Sequence, residues 1–305
     1  SLSKRNSRLA KIVFAERDGA QIGVLADVTR SMTHESLSAS AFDWLDLLQS
    51  HKKNRIAEVW IAAEKRRARD LQKLLAMLKS PERARVGVIE ITGEADDAKA
   101  KRLPTRLLSD LWRAKAANLE IPPLIEISDT ARSIIAHAPD KIDVILSRHG
   151  ETLRFHGLPF LRVRRLMDNE NAWFGIGRER KKLDDNTRED LYSLLDELHR
   201  YRDREPPEKR HDLFRLRSEA WLESILKRNI RLLDPNLILS PIYNQFKTSA
   251  DKIDLLALRR DGRLVVIEIK TSPDRESVFQ AADYWRKIEH QRRKGVLAAA
   301  RLFGD

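Results

Sequence analysis

The chain has 305 residues, 58 Lys and Arg against 46 Asp and Glu, and a formal charge of +12 with a pI near 9.9. Its length allows two or three domains, and its apolar fraction is adequate for packed cores. With no cysteine there is neither a disulfide framework nor a thiolate metal site. No apolar run approaches a membrane span or a signal core, so no membrane partner and a cytoplasmic location are expected, and the positive charge points to a polyanion, nucleic acid first.

In chain order, residues 9–14 and 22–27 read as strands around an Arg17-Asp18-Gly19 turn, followed by a helix from Ser38 that holds Phe42, Trp44, Leu45 and Leu48. Residues 57–63 read as a buried strand, 65–79 as a basic amphipathic helix and 85–91 as a further strand, a unit that favours parallel pairing. Basic residues cluster at His51-Lys52-Lys53, on 65–79, at 162–165, at 178–182 and at 292–294. Lys65, Arg66, Arg67 and Arg69, with Arg292 and Arg293, are the candidate nucleic-acid contacts.

The middle region reads as α+β. Helices are expected over 104–118, 128–138 and 183–201, the last capped by Asp184-Asp185 or Asn186-Thr187. Short strands are expected over 142–146, 152–155, 161–164 and 173–176, with turns at His149-Gly150 and His156-Gly157. The polar segment 203–209, with Pro206-Pro207, is the best linker. His137, His149, His156 and His199 form no ligand pair at helical spacing, so zinc is not expected. The chain has no Gly-rich phosphate loop and no G-x-S-x-G elbow.

The C-terminal part carries the chemistry. Residues 212–227 read as one amphipathic helix with Glu219 and Glu223 a turn apart, and Pro241-Ile242-Tyr243 as a strand. In 253–270, IDLLALRRDGRLVVIEIK, two apolar runs flank Arg260-Asp261-Gly262, a hairpin signal. A three-residue loop with Gly262 left-handed pairs Arg259 with Arg263 and sets Asp254 opposite Glu268, with Lys270 on the same face. A two-residue Asp-Gly turn would set Asp254 against Ile269; the first register is expected because it alone collects the charged groups. Two carboxylates facing each other across an apolar strand pair need a compensating partner, and a divalent cation of the Mg²⁺ type is the simplest. Residues 276–289 read as a helix with Phe279, Ala282 and Trp285 in line and Gln280 and Tyr284 one turn apart.

Asp254, then Glu268-Ile269-Lys270, then Gln280-Ala-Ala-Asp-Tyr284 resembles the PD-(D/E)XK nuclease superfamily, in its RecB-like and NucS-like branch, over about the last 95 residues. The resemblance implies that Asp254 and Glu268 bind Mg²⁺, or Mn²⁺, that Lys270 assists the attacking water and that Gln280 and Tyr284 support the site. It also implies a further carboxylate from the preceding helix, Glu219 first and Glu223 close behind. The implied activity is phosphodiester hydrolysis, of DNA first, by an endonuclease of repair or defence selective for structure or single strands. The alternatives are an inactive nuclease fold that binds nucleic acid and a basic protein-interaction scaffold.

Residues 1–92 echo this pattern. The Arg-Asp-Gly turn recurs, Asp27-Val28-Thr29 answers to Glu268-Ile269-Lys270 and Ser40-x-x-x-Trp44 to Gln280-x-x-x-Tyr284, with the counterpart of Asp254 near Lys11. The expected architecture is therefore α/β. It comprises a degenerate nuclease-like domain over 1–125, a middle α+β region over 126–209 and a restriction-endonuclease-like domain over 210–305, a mixed sheet flanked by helices. A homodimer, or an intrachain pseudo-dimer of the two copies, is the expected assembly.

Overall fold

In the computed structural model, residues 8–15, 21–50, 56–93, 97–113, 126–147, 150–166, 169–240 and 253–303 are described. The Arg17-Asp18-Gly19 turn, His51 to Arg55, His149 and the 241–243 strand lie outside them. By its contacts the chain forms two units, one of Ser1–Ala117 with Pro273–Lys294, the other of Asn118–Ser272 with Gly295–Asp305. Both are mixed α/β, with sheets flanked by helices.

The first unit follows the expected pattern closely. It contains β1 (Leu9–Ala15), β2 (Gln21–Asp27), α1 (His34–Ser50), β3 (Glu58–Glu64), α2 (Lys65–Leu75), α3 (Ser80–Arg85), β4 (Val86–Thr92) and β5 (Lys99–Arg102), and the sheet order is β1-β2-β3-β4-β5. The strands β2, β3 and β4 are parallel, as strand-helix-strand connections require, and the outer pairs are antiparallel. Val59, Ile61 and Ala63 of β3 are buried with Leu25, Val86 and Val88, under Leu37, Leu45, Leu71 and Leu75 of the helices. Over 104–113, the described part of the helix expected at 104–118, no α-helix forms. Leu103 N donates to Val88 O and Gln72 Nε2 to Pro104 O (2.9 and 2.7 Å), which holds this segment against β4 and α2, and only a 3-10 turn over Leu108–Trp112 follows.

The second unit opens with α4 (Asp129–Ile135) and a meander of β6 (Ile142–Ser147), β7 (Gly150–Phe155), β8 (Leu158–Leu166), β9 (Asn169–Phe174) and β10 (Lys181–Lys182), antiparallel throughout, then α5 (Arg188–Tyr201). Ala131 and Ile134 of α4 and Leu191, Leu195 and Leu198 of α5 bury the inner face, Leu153, Leu161 and Val163. The single helix expected over 212–227 is instead α6 (Asp212–Arg215) and α7 (Ser218–Arg228), separated at Arg217, which sits at φ 50°. The cause is Arg202. Its guanidinium, with no solvent exposure, donates to the carbonyls of Leu213 and Leu216 (both 2.7 Å), drawing them away from a continuous helical ladder, and touches that of Arg217, which keeps its helical bond from Trp221 N (3.1 Å).

There follow β11 (Leu237–Leu239), β12 (Leu255–Arg259) and β13 (Leu264–Ile267), a three-stranded antiparallel sheet, then α8 (Ser277–Arg293), which belongs to the first unit, and α9 (Val296–Ala299). Both hairpins precede a helix, yet among the described residues their strand neighbours differ. The first hairpin strand β12 takes β11 as its other neighbour, whereas in β1-β2 it is the second strand that pairs onward, with β3. The residue opposite Asp27 is Leu9 rather than Lys11.

Candidate functional site

The hairpin adopts the register with the three-residue loop. Arg259 N donates to Arg263 O and Gly262 N to Arg259 O, both at 2.8 Å. Gly262 sits at φ 86° with open space where a Cβ would be, so backbone conformation alone demands glycine there. The ladder runs from Leu258↔Leu264 to Leu255↔Ile267, which makes Asp254 the next partner of Glu268. Asp254 Oδ2 accepts a hydrogen bond from Ile269 N (2.8 Å), which fixes its carboxylate across the strand end.

Glu268 is the unusual group. Its side chain is 9% exposed, one oxygen lies 3.1 Å from Lys270 Nζ, and the other, Oε2, is buried with no hydrogen-bond partner among the described residues. Burial pushes its pKa up, the neighbouring Asp254 adds to this, Lys270 opposes it and Glu219 contributes a further push.

The two helix carboxylates have different surroundings. Ser218 Oγ and Thr271 Oγ1 share a hydrogen bond of 2.7 Å that ties the start of α7 to the strand end after Lys270, and Glu219, exposed, is the next residue. Glu223 is buried and committed elsewhere, to Lys227 (2.7 Å) and to Arg154 of β7 (3.7 Å), which also binds Asp143. Of the two, Glu219 therefore fits a ligand beside Glu268, and Glu223 belongs to a buried structural network.

A different trio, absent from the sequence expectations, can hold a metal ion. His34, Glu35 and Asp283, from opposite ends of the chain but within the first unit, place ligand atoms within 4.8 Å of one another. His34 Nε2 is 3.0 Å from Glu35 Oε1 and 4.0 Å from Asp283 Oδ2. Asp283 is also paired with Arg286 (2.6 Å) and Lys287 (3.1 Å), with which an incoming cation must compete. Burial pushes the Asp283 carboxyl up, but these two cations outweigh it and hold it below its ordinary value. Among the described residues no other such trio occurs, so Asp254, Glu268 and Glu219 are not drawn together to this distance.

Comparison with protein-family models, curated proteins and solved structures finds no match.

Gln280 and Tyr284 lie on α8, in the first unit, while Asp254, Glu268 and Lys270 are in the second. Gln280 Oε1 is buried with no hydrogen-bond partner among the described residues, and Lys287 Nζ sits 5.6 Å above the Tyr284 ring. The Phe279-Ala282-Trp285 line is not a uniformly buried face. Phe279 stacks on Phe42, but Trp285 is 42% exposed and the buried positions are Asp283 and Ile288.

The candidate nucleic-acid contacts divide in the same manner. Lys65, Arg66 and Arg69 are exposed on α2. Arg67 instead bonds Asp27 Oδ2 (3.0 Å) and Arg30 O (2.8 Å). Burial pushes Asp27 up, but the Met32 and Thr29 amides, the Thr29 hydroxyl and Arg67 outweigh it and bring its pKa to about 2. Arg292 and Arg293 both pair with Glu289 (2.6 and 2.7 Å), and Arg293 also covers Trp112.

Proposed function

We propose that the second unit carries a divalent-cation-dependent site that hydrolyses phosphodiester bonds of nucleic acid, DNA first, in the manner of the PD-(D/E)XK nucleases. The observation that carries this reading is the buried Glu268 oxygen with no hydrogen-bond partner, on the strand facing Asp254, with Lys270 alongside. In this reading α7 and the β11-β12-β13 sheet form a restriction-endonuclease-like core. Asp254, Glu268 and Glu219 supply only oxygen donors, which suits Mg²⁺ or Mn²⁺. When bound, such an ion polarises a phosphoryl oxygen and lowers the pKa of a water. Asp254, fixed by the Ile269 amide, and Glu268 hold that charge. The Lys270 ammonium orients the attacking water and stabilises negative charge growing on the phosphate. The reading does not depend on Gln280 or Tyr284.

Its test is cleavage of plasmid, single-stranded circle and RNA by the full chain with Mg²⁺, Mn²⁺ or EDTA. Cleavage that requires metal and disappears in Glu268→Gln supports it; metal-dependent cleavage undiminished in Glu268→Gln refutes it. The His34, Glu35 and Asp283 trio favours a second reading, in which the ion has a structural role and the chain binds nucleic acid without cutting it. Calorimetric titration with Mn²⁺ separates the two, because Glu268→Gln abolishes binding in the first and His34→Ala in the second.

A further inference from the structure

The meander of the second unit has two faces of opposite character. Residues paired directly across an antiparallel sheet lie on one face. One row runs Lys182, Trp173, Arg162, Thr152 and Ile145, and the next runs Asn171, Arg164, Gly150 and Ser147. The alternate positions Leu153, Leu161, Val163, Ala172 and Phe174 are buried in the core, so these two rows form the outer face.

Charge is distributed unevenly over the sheet. On the alternate positions cations are neutralised: Arg165 reaches Glu151 (3.3 Å) and Glu170 (3.6 Å), and Lys181 reaches Asp190 (2.7 Å). On the outer face Arg154 is buried and neutralised by Asp143 and by Glu223 (3.7 Å), whereas Arg162, Arg164 and Lys182 form no ion pair with any described residue, nor does Arg180 beside them. Arg162, Arg164, Arg165, Asn171, Trp173 and Ser147 line a hollow of about 530 Å³ with no acidic residue among its walls. Burial and the charges of Arg164 and Arg180 depress the pKa of Arg162, the signature of guanidinium groups gathered without counter-charge. An anion seated there would relieve this repulsion.

We infer that this outer face is a binding surface for single-stranded nucleic acid, with Arg162 and Arg164 on successive phosphates and Trp173 stacked against a base. Arg162 and Arg164, two residues apart on one strand, project about 7 Å from each other. Trp173 is the direct cross-strand neighbour of Arg162. A guanidinium row beside an indole matches a backbone with splayed bases, whereas a duplex keeps its base faces stacked and unavailable. The surface stands independently of the carboxylate site, and it names the form of substrate that the proposed hydrolysis would act on.

Fluorescence anisotropy of the full chain with labelled dT15, rU15 and a 15-base-pair duplex, in EDTA so that cleavage does not intervene, tests this. dT15 and rU15 are expected to bind more tightly than the duplex. Arg162→Ala with Arg164→Ala should lower the slope of log affinity against log salt by about 1.4 for the single strands, and the double Lys variant should keep it. Trp173→Ala should weaken binding by roughly tenfold at an unchanged salt slope, and Trp173→Phe should retain most of the affinity. Wild-type affinity and slope in the double Ala variant, or a duplex bound as tightly as the single strands, would overturn the inference. Binding lost in these variants while Glu268→Gln still binds separates this surface from the hydrolytic site.

Discussion

Replacing Arg202 by Met should unfold the second unit more readily than any change at the carboxylate site. Its guanidinium donates to the carbonyls of Phe155, His156, Leu213, Leu216 and Arg217, five acceptors from two chain segments, and packs 4.9 Å above Trp221. Hydrogen bonds from a charged donor contribute about 1.5–3 kcal/mol each, so five amount to roughly 10 kcal/mol before opposing effects. Burial opposes them. Together with the Arg217 charge, and against the pull of Asp143, it lowers the Arg202 pKa to about 10. That shift corresponds to roughly 3 kcal/mol returned when the charge is removed. Methionine fills much of the volume and water can reach the outer carbonyls, so a net loss of about 4–6 kcal/mol is expected, comparable with the whole stability of many domains. Urea denaturation followed by tryptophan fluorescence measures it, and Arg202→Lys should fall between wild type and Met. A loss under about 1 kcal/mol for Arg202→Met, with an unchanged urea slope, would refute the view that Arg202 breaks the helix at Arg217 and anchors α7.

Asp254→Ala and Glu268→Ala are each expected to abolish cleavage while leaving urea midpoints near wild type, since removing one of two facing carboxylates relieves repulsion, and Lys270→Ala to abolish cleavage with a lowered midpoint, since it takes the nearby cation from Glu268; a fully active Glu268→Ala chain ends the hydrolytic reading. Glu223→Ala should cost about 3–5 kcal/mol, because it removes the carboxylate that Lys227 and Arg154 share in a buried network and leaves Arg154 to Asp143 alone. Glu219→Ala should instead lower cleavage with little change in stability, and the reverse pattern in paired denaturation and cleavage assays would invert the assignment. His156, which burial and then the charges of Arg228, Lys141 and Arg202 depress to about 4, is neutral in the fold where an unfolded histidine near 6.5 would protonate. The unfolded chain thus takes up more protons between these values. Stability present above pH 6.5 should be lost as pH falls towards 4, and His156→Phe should flatten that limb in a pH series of urea midpoints.

Much of the local structure was legible in the sequence. Alternating apolar runs around Arg260-Asp261-Gly262 imply a hairpin, and of the two registers that turn allows, the one that gathers the charged groups, pairing Asp254 with Glu268, is the one adopted. The parallel strands of the first unit follow from strand-helix-strand order, and the meander of the second from short strands at close spacing. These are properties of neighbouring residues, carried by backbone conformation and side-chain period.

Only the tertiary structure separated Glu219 from Glu223, identical residues one turn apart. Glu223 is committed by Arg154, which arrives from β7, and nothing near it in sequence announces that partner. Likewise the helical period of 212–227 is intact, and it is the guanidinium of Arg202 that draws the Leu213 and Leu216 carbonyl oxygens out of the ladder. The grouping of α8 with the first sheet and the His34, Glu35 and Asp283 trio depend on chain ends meeting far from where they diverged. Short-range propensity sets which elements form, whereas the burial of a charge and the identity of its counter-charge are decided by long-range packing, because a desolvated ion is tolerable only where another segment brings its partner.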